Sequence, residues 1–134
     1  MNTNDKSQIA ELAVAADLAK RGYTVSIPMG VTSYDLIVDR GGEKLEKVQV
    51  KYTTEKDGCL DISLERTSYR REQTISNQYT EDDFDWLAAY SAPNGTVCYI
   101  PVDEVAGMRA LRLRIEPPMR NYSKINLAES YVHI

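Results

Sequence analysis

Apolar and polar residues alternate over much of the chain, which is the pattern of half-buried β-strands. Two such runs flank Gly41-Gly42, a strong turn signal between strands. Because strand side chains point to opposite faces in turn, one face of this hairpin is apolar and the other polar. The pattern therefore predicts a hairpin across residues 34–52, whose apolar face consists of Leu36, Val38, Val48, Val50 and Tyr52.

The N-terminal segment has the apolar spacing of a helix. Ser7 is a suitable N-cap, and Gly22 suits the left-handed position after the last turn, so we predict a helix ending near Arg21. Glu11 borders the apolar stripe, and alone it is an ordinary acid of a first helical turn. The stripe is expected to pack on a sheet and contains Ile9, Leu12, Ala13, Ala16 and Ala19.

Shorter alternating runs predict further strands at 23–27, 59–64, 86–90, 96–100 and 110–115. Asn94-Gly95 marks a tight turn between two of them. The polar stretch 65–80 has no clean period, and we predict a loop there with room for one helical turn. Residues 80–83 have the composition of a helix start, with Asp83 completing a capping-box pattern. Together these elements predict a mixed α/β (α+β) protein.

The composition suits one globular domain over residues 1–134, since 43% of the residues are hydrophobic. No apolar run approaches the ~20 residues that a membrane span requires. The first residues lack the apolar core of a signal peptide, which favours a cytoplasmic protein. Cys59 and Cys98 are expected to be buried free thiols there, with a single disulfide as the alternative.

The polar face of the hairpin carries the candidate chemistry. Strand pairing would bring Asp35 close to Gln49 and Lys51, so that a carboxylate, an amide and an ammonium converge. The alternative is a solvated hairpin face with mixed polar residues.

Basic residues are segregated within an acidic chain whose net charge is −4. Such segregation suits a phosphate-binding surface, although a solvated loop or a charged edge strand would show the same composition. The candidate phosphate contacts are Arg66, Arg70, Arg71, Arg112 and Arg114.

The order of these motifs resembles the PD-(D/E)XK nuclease superfamily. A helix glutamate, a G-Y-x-V segment, a strand aspartate and a strand ending in x-Lys follow one another at Glu11, 22–25, Asp35 and 49–51. The sequence is similar to small group I intron homing endonucleases of this type and to archaeal Holliday junction resolvases, over residues 7–105. Tyr34 stands where the family name has proline. Gln49 stands where an acid is usual, a glutamine that the intron endonucleases share.

The resemblance implies a restriction-endonuclease-like core with the N-terminal helix packed on a mixed central β-sheet. It also implies a Mg²⁺-dependent DNA endonuclease, with Mn²⁺ as a substitute. Asp35 would bind the metal directly, with the Gln49 amide oxygen and the Val50 carbonyl. Lys51 would orient the nucleophilic water or stabilise developing charge, and Glu11 would hold a metal-bound water or the metal.

The expected partner is double-stranded or branched DNA, without membrane association. Cutting both strands with one active site per chain requires a homodimer or a higher homo-oligomer. Three alternatives remain at this point: a junction-resolving nuclease, a catalytically weak nuclease-fold protein that only binds DNA, and an α/β domain with an unrelated ligand.

Overall fold

The computed structural model describes residues 1–70, 73–115 and 127–134. Helix α1 spans Thr3–Lys20 and begins four residues before the predicted Ser7 cap. Its N-cap is Asn2, whose side chain accepts a 2.9 Å hydrogen bond from the Asp5 N–H, and the Asp5 carboxylate accepts one from the Asn2 N–H. This capping box satisfies the backbone N–H groups that have no partner at the start of the helix. A cap at Ser7 would have started the helix about one turn later. The predicted end is confirmed, because Gly22 has φ +88°.

The buried face of α1 is not the predicted one. Ala10, Val14 and Leu18 are fully buried, whereas Leu12 is 62% exposed. Ala16 and Ala19, which belonged to the predicted stripe, are exposed as well. An alanine-rich helix is apolar on more than one side, so its periodicity does not select the packed face. The sheet beneath the helix selects it.

The central sheet contains five strands: β1 (Thr24–Ser26), β2 (Leu36–Asp39), β3 (Glu46–Thr53), β8 (Trp86–Ser91) and β9 (Val97–Pro101). Their order in the sheet is β1-β2-β3-β8-β9. Strands β3 and β8 are parallel, and the other neighbours are antiparallel. The mixed sheet with α1 on one face confirms the predicted fold class.

A smaller three-stranded sheet in the order β10-β5-β4 covers the other face. As predicted, Leu60, Ile62, Leu64, Leu111 and Leu113 point into the core. The strands are β4 (Glu55–Lys56), β5 (Cys59–Ser63) and β10 (Ala110–Arg114).

Residues 65–80 are mostly a β-ribbon, so the predicted loop is wrong. Strand β6 (Glu65–Arg70) pairs antiparallel with β7 (Gln73–Gln78), and the two form a sheet of their own. The sequence of this segment has no clear alternation of apolar and polar residues, which is why the pattern did not predict the ribbon.

The predicted helix start at residues 80–83 is only a turn before β8. Its capping contacts form nevertheless: the Thr80 N–H donates a 2.7 Å hydrogen bond to Asp83 Oδ2. Short 3₁₀ helices span Val102–Glu104 and Ala128–Tyr131. Cys59 and Cys98 are free and buried, as predicted.

Two hydrophobic cores lie on the two faces of the central sheet. One packs α1 against Leu36, Val38, Val48 and Val50. The other lies between the sheets and includes Tyr79, Phe84 and Leu87. Among the described residues, no helix has the length and apolar content needed to cross a membrane.

Candidate active site

The site begins where β2 and β3 separate. The Asp35 N–H donates a 2.9 Å hydrogen bond to the Val48 carbonyl, which is the last contact of the ladder between the two strands. At the next position the Asp35 carboxylate replaces the backbone, because its Oδ2 accepts a 2.9 Å hydrogen bond from the Val50 N–H. The N–H and C=O of one strand residue point to the same side, so the Val50 carbonyl also faces the gap that β2 leaves.

Glu11 on α1 reaches the same gap and lies close enough to Asp35 for the two carboxyl groups to interact electrostatically. Burial and the neighbouring Asp35 charge raise the pKa of Glu11. Burial also raises the pKa of Asp35, although the Val50 N–H, Lys51 and Glu11 oppose the increase. The two neighbouring carboxyl groups therefore retain a proton more readily than either would in water, unless a cation offsets their charge.

Gln49 and Lys51 share the polar face of β3, as the alternation predicts. The Gln49 amide nitrogen donates a 3.4 Å hydrogen bond to the Val50 carbonyl. The Lys51 ammonium lies 5.3 Å from the centroid of the Tyr79 ring and acts electrostatically on Asp35. An aromatic face can hold an ammonium in position while leaving its N–H donors available to another group.

One open cavity of about 490 Å³ contains all five predicted residues: Glu11, Asp35, Gln49, Val50 and Lys51. A second opening of about 310 Å³ reaches Glu11 and Asp35 from the loop before β2. The larger cavity is also lined by residues that the sequence did not mark as site candidates, including Lys6, Ser7, Tyr52 and Asp61. Ser7 lies one helical turn before Glu11, and Tyr52 follows Lys51, so their spacing from predicted site residues could have indicated these two. Nothing near Asp61 in the sequence indicates that it lines the cavity.

The donor set of the cavity fits a hard divalent cation. Two carboxylates, one backbone carbonyl and one amide supply oxygen atoms only, which suits Mg²⁺ with part of its water shell. Within the described part of the chain, no group of three acidic, histidine or cysteine side chains comes together. The Gln49 amide must turn to present its oxygen to a cation, since its nitrogen now faces the Val50 carbonyl.

The predicted phosphate contacts divide into three groups. Arg112 lies on β10 and forms a two-point ion pair with Asp61, with Nε–Oδ1 and Nη2–Oδ2 distances of 2.8 and 3.4 Å. Asp61 lines the cavity, so this pair lies at its rim. Arg114 is half-buried at the end of β10. Arg66 and Arg70 lie on β6, but their side chains are outside the described part, as is all of Arg71.

A helix packed on a mixed sheet, with carboxylates, an amide and a lysine at a strand divergence, defines a restriction-endonuclease-like nuclease fold. The sequence model of the PD-(D/E)XK endonuclease family matches residues 1–134. The chain belongs to this family, which confirms the resemblance and indicates an endonuclease that acts on DNA. Members of the family generally use divalent metal ions.

A solved structure of a bacterial homing endonuclease, I-Ssp6803I, is similar to this chain with a TM-score of 0.79 and 29% sequence identity. The similarity covers 98% of this chain and 88% of that one. No sequence among the curated proteins matches this chain.

Proposed function

We propose that this protein is a Mg²⁺-dependent DNA endonuclease of the homing type, with Asp35, Glu11, Gln49, Val50 and Lys51 as its active site. The convergence of all five in one cavity is the observation that supports the proposal most strongly. The similar bacterial structure is that of a homing endonuclease, which favours this type over others.

Each residue has a role that its position suits. Asp35, the Val50 carbonyl and the Gln49 amide would hold Mg²⁺, which when bound lowers the pKa of water and offsets negative charge on the phosphate. Glu11 would hold a metal-bound water against the Asp35 side of the cavity. Lys51, whose ammonium lies over Tyr79, would stabilise the charge that develops on the phosphate.

The assembly and the compartment are further parts of the proposal. A chain with one active site cuts one strand at a time, so a homodimer or a higher homo-oligomer is needed for a double-strand break. Sedimentation equilibrium on DNA should therefore give more than one chain per duplex, and a monomer would contradict this.

Two buried free thiols suit a reducing compartment such as the cytoplasm.

The test is cleavage of a plasmid and of a four-way junction, with Mg²⁺, with Mn²⁺ and with neither. Wild-type protein should cut only with metal, whereas Asp35→Ala and Lys51→Ala should remain folded and bind DNA without cutting it. Retained cleavage in either variant would contradict the site assignment. Preference for the junction would favour a resolving nuclease over the homing type.

Gln49 favours one alternative, a nuclease-fold protein that binds DNA and cuts it weakly or not at all. The site has two carboxylates where a typical relative would have a third acid at position 49. Metal-dependent nicking of any DNA by wild-type protein would exclude this alternative, provided that Asp35→Ala abolishes the nicking.

A further inference from the structure

The far end of the catalytic cavity carries a lysine that the proposed chemistry does not use. Lys6 lies in the first turn of α1 and lines the same cavity as Glu11 and Asp35. Its ammonium lies 5.8 Å from the centroid of the Tyr52 ring. Within the described residues, no carboxylate forms an ion pair with Lys6. The charge of Lys6 is therefore open to a ligand that enters the cavity.

The helix dipole does not favour a lysine at this position. The N-terminal end of a helix is electropositive, so a cation in the first turn is disfavoured. Lys20 in the last turn of α1 has the favourable placement. A residue that opposes a local preference within a functional cavity is a candidate for a binding role.

The aromatic partner of Lys6 is itself held in place. Tyr52 is partly buried and contacts Tyr90 edge to face, with ring centroids 5.8 Å apart. A fixed ring face attracts the Lys6 ammonium but leaves its N–H donors available. A carboxylate partner would instead accept hydrogen bonds from them. The arrangement thus directs the ammonium while leaving it able to contact an anion.

The surrounding charges permit a phosphate there. Asp61 is an acid lining the cavity outside the catalytic group, and Arg112 offsets its charge through two contacts. Lys6 precedes Glu11 by five helical residues, which is about 7.5 Å along the axis of α1. If the cleaved phosphate lies at Asp35 and Lys51, a cation displaced from Glu11 by this distance is placed to contact another phosphate of the same strand.

We propose that Lys6, held over Tyr52, binds the phosphate adjacent to the one that is cleaved. This inference rests on the proposed function, because the cleaved phosphate must lie at Asp35 and Lys51. The site would then hold two successive phosphates of one strand. Lys6 would fix the direction and register of that strand without contacting the reacting atoms.

The test uses two small nucleotides, so it requires no knowledge of the DNA target. Thymidine 3′,5′-bisphosphate carries two phosphates on one sugar, and thymidine 5′-monophosphate carries one. NMR-detected titrations in Ca²⁺ would measure both affinities in wild type, Lys6→Gln and Lys20→Gln. Lys20→Gln is the matched control, because Lys20 is an exposed lysine about 21 Å further along the same helix.

Wild-type protein should bind the bisphosphate about tenfold more tightly than the monophosphate. Lys6→Gln should lose most of that preference, and Lys20→Gln should keep it. Tyr52→Phe should keep the preference and Tyr52→Leu should reduce it, since only the first retains the ring beneath the ammonium. An unchanged preference in Lys6→Gln, or an equal loss in Lys20→Gln, would overturn the proposal.

Asp35→Asn separates this inference from the proposed function. If Asp35→Asn weakens both nucleotides while Lys6→Gln changes neither, the catalytic site stands and the second phosphate site is wrong. If wild-type protein binds neither nucleotide, or Asp35→Asn leaves both affinities unchanged, the assigned site is itself contradicted, and the Lys6 proposal fails with it.

Discussion

The Asp35 carboxylate accepts a 2.9 Å hydrogen bond from the backbone N–H of Val50 and so takes the place of a ladder contact between two strands. The contact lies where β2 separates from β3, and the Val50 carbonyl faces the same side of β3 as the Val50 N–H. Asp35 also lies close enough to Glu11 for the two carboxyl groups to interact electrostatically before any cation binds. Asp35 is therefore both a structural acceptor and a candidate ligand, and substitutions can separate the two roles.

Asp35→Asn should raise the stability of the metal-free protein. Burial raises the pKa of Asp35 in the folded state, so the folded protein loses stability as pH rises through the carboxyl range. The ionised carboxylate therefore destabilises the metal-free protein at neutral pH. Asparagine removes the charge but still accepts from the Val50 N–H. Asp35→Ala removes the acceptor too and should be less stable than Asp35→Asn by ~1–3 kcal/mol. Denaturant unfolding at pH 7 without metal would measure all three proteins; an Asn variant less stable than wild type would contradict the argument.

Gln49→Glu should bind Mg²⁺ about tenfold more tightly than wild type, a difference of ~1.4 kcal/mol. The reason is one added negative charge beside Glu11 and Asp35, since cation affinity follows the charge of the ligand set. Calorimetric titration of Mg²⁺ into both proteins would measure the difference. Gln78→Glu adds the same charge at an exposed end of β7 and is the control. Equal affinities in wild type and Gln49→Glu would exclude Gln49 as a residue near the metal.

Tyr79→Leu should lower the cleavage rate about tenfold, because the ring that holds the Lys51 ammonium at 5.3 Å is lost. Tyr79→Phe keeps the ring face and should cleave at the wild-type rate. Phe84→Leu removes the neighbouring ring of the same core, which contacts Tyr79 rather than Lys51, and controls for general loosening. If Phe84→Leu slows cleavage as much as Tyr79→Leu does, the effect belongs to core packing and the role of Tyr79 is refuted.

Arg112 and Asp61 should have opposite effects on DNA binding. Arg112→Gln should reduce the slope of log affinity against log salt by about 0.9, the value for one phosphate contact. Asp61→Asn releases Arg112 from its two-point pair and should strengthen binding. Fluorescence anisotropy on a duplex at several salt concentrations would measure both, with Lys20→Gln as the surface control. An unchanged slope in Arg112→Gln would remove Arg112 from the DNA contacts.

Glu46 should stabilise the protein above its carboxyl range and lose that effect in acid. Partial burial raises the pKa of Glu46, but hydrogen bonds from Arg40 and Trp86 outweigh it and hold the pKa below its ordinary value. The stabilisation is thus present at neutral pH and lost as pH falls through the lowered pKa. Trp86 is the sole tryptophan and donates to Glu46 at 2.6 Å, so its fluorescence reports unfolding.

Glu46→Gln should therefore cost ~1–2 kcal/mol of unfolding free energy at pH 7 and much less in acid. Glu43→Gln, an exposed acid in the loop of the same hairpin, is the control and should show no such pH dependence. The same loss at every pH would show that the charge of Glu46 is not what stabilises the hairpin.

Alternation with period two predicted the structure most completely in the hairpin of β2 and β3. Leu36 and Val38 face the core, and Asp35 lies one position before them. On the second strand, Val48 and Val50 are buried, so Gln49 and Lys51 lie on the polar face. Once the faces are known, the pairing of Leu36 with Val48 brings these residues together. Family resemblance added Glu11. Its neighbour in the site, Asp35, is distant in sequence, and the residues around Glu11 do not by themselves distinguish it from an ordinary acid of a helix.

Other features depended on contacts between distant segments. The alanine-rich α1 could pack by more than one face, and the sheet chose Ala10, Val14 and Leu18. The sequence of β6 and β7 has no clear alternation of apolar and polar residues, so it did not predict that the two strands pair. The Arg112–Asp61 pair joins residues 51 positions apart, and the Lys6–Tyr52 contact joins a helix to a strand.

The sequence alone thus determined the local faces of the strands, their turns and the order of the site residues, because these follow from side-chain alternation and backbone preference within a few residues. Tertiary structure decided which helix face is buried, which acid Arg112 pairs with and which lysine lines the candidate active-site cavity. Those outcomes depend on packing and charge neutralisation between segments far apart in the chain, and short-range patterns carry no information about them.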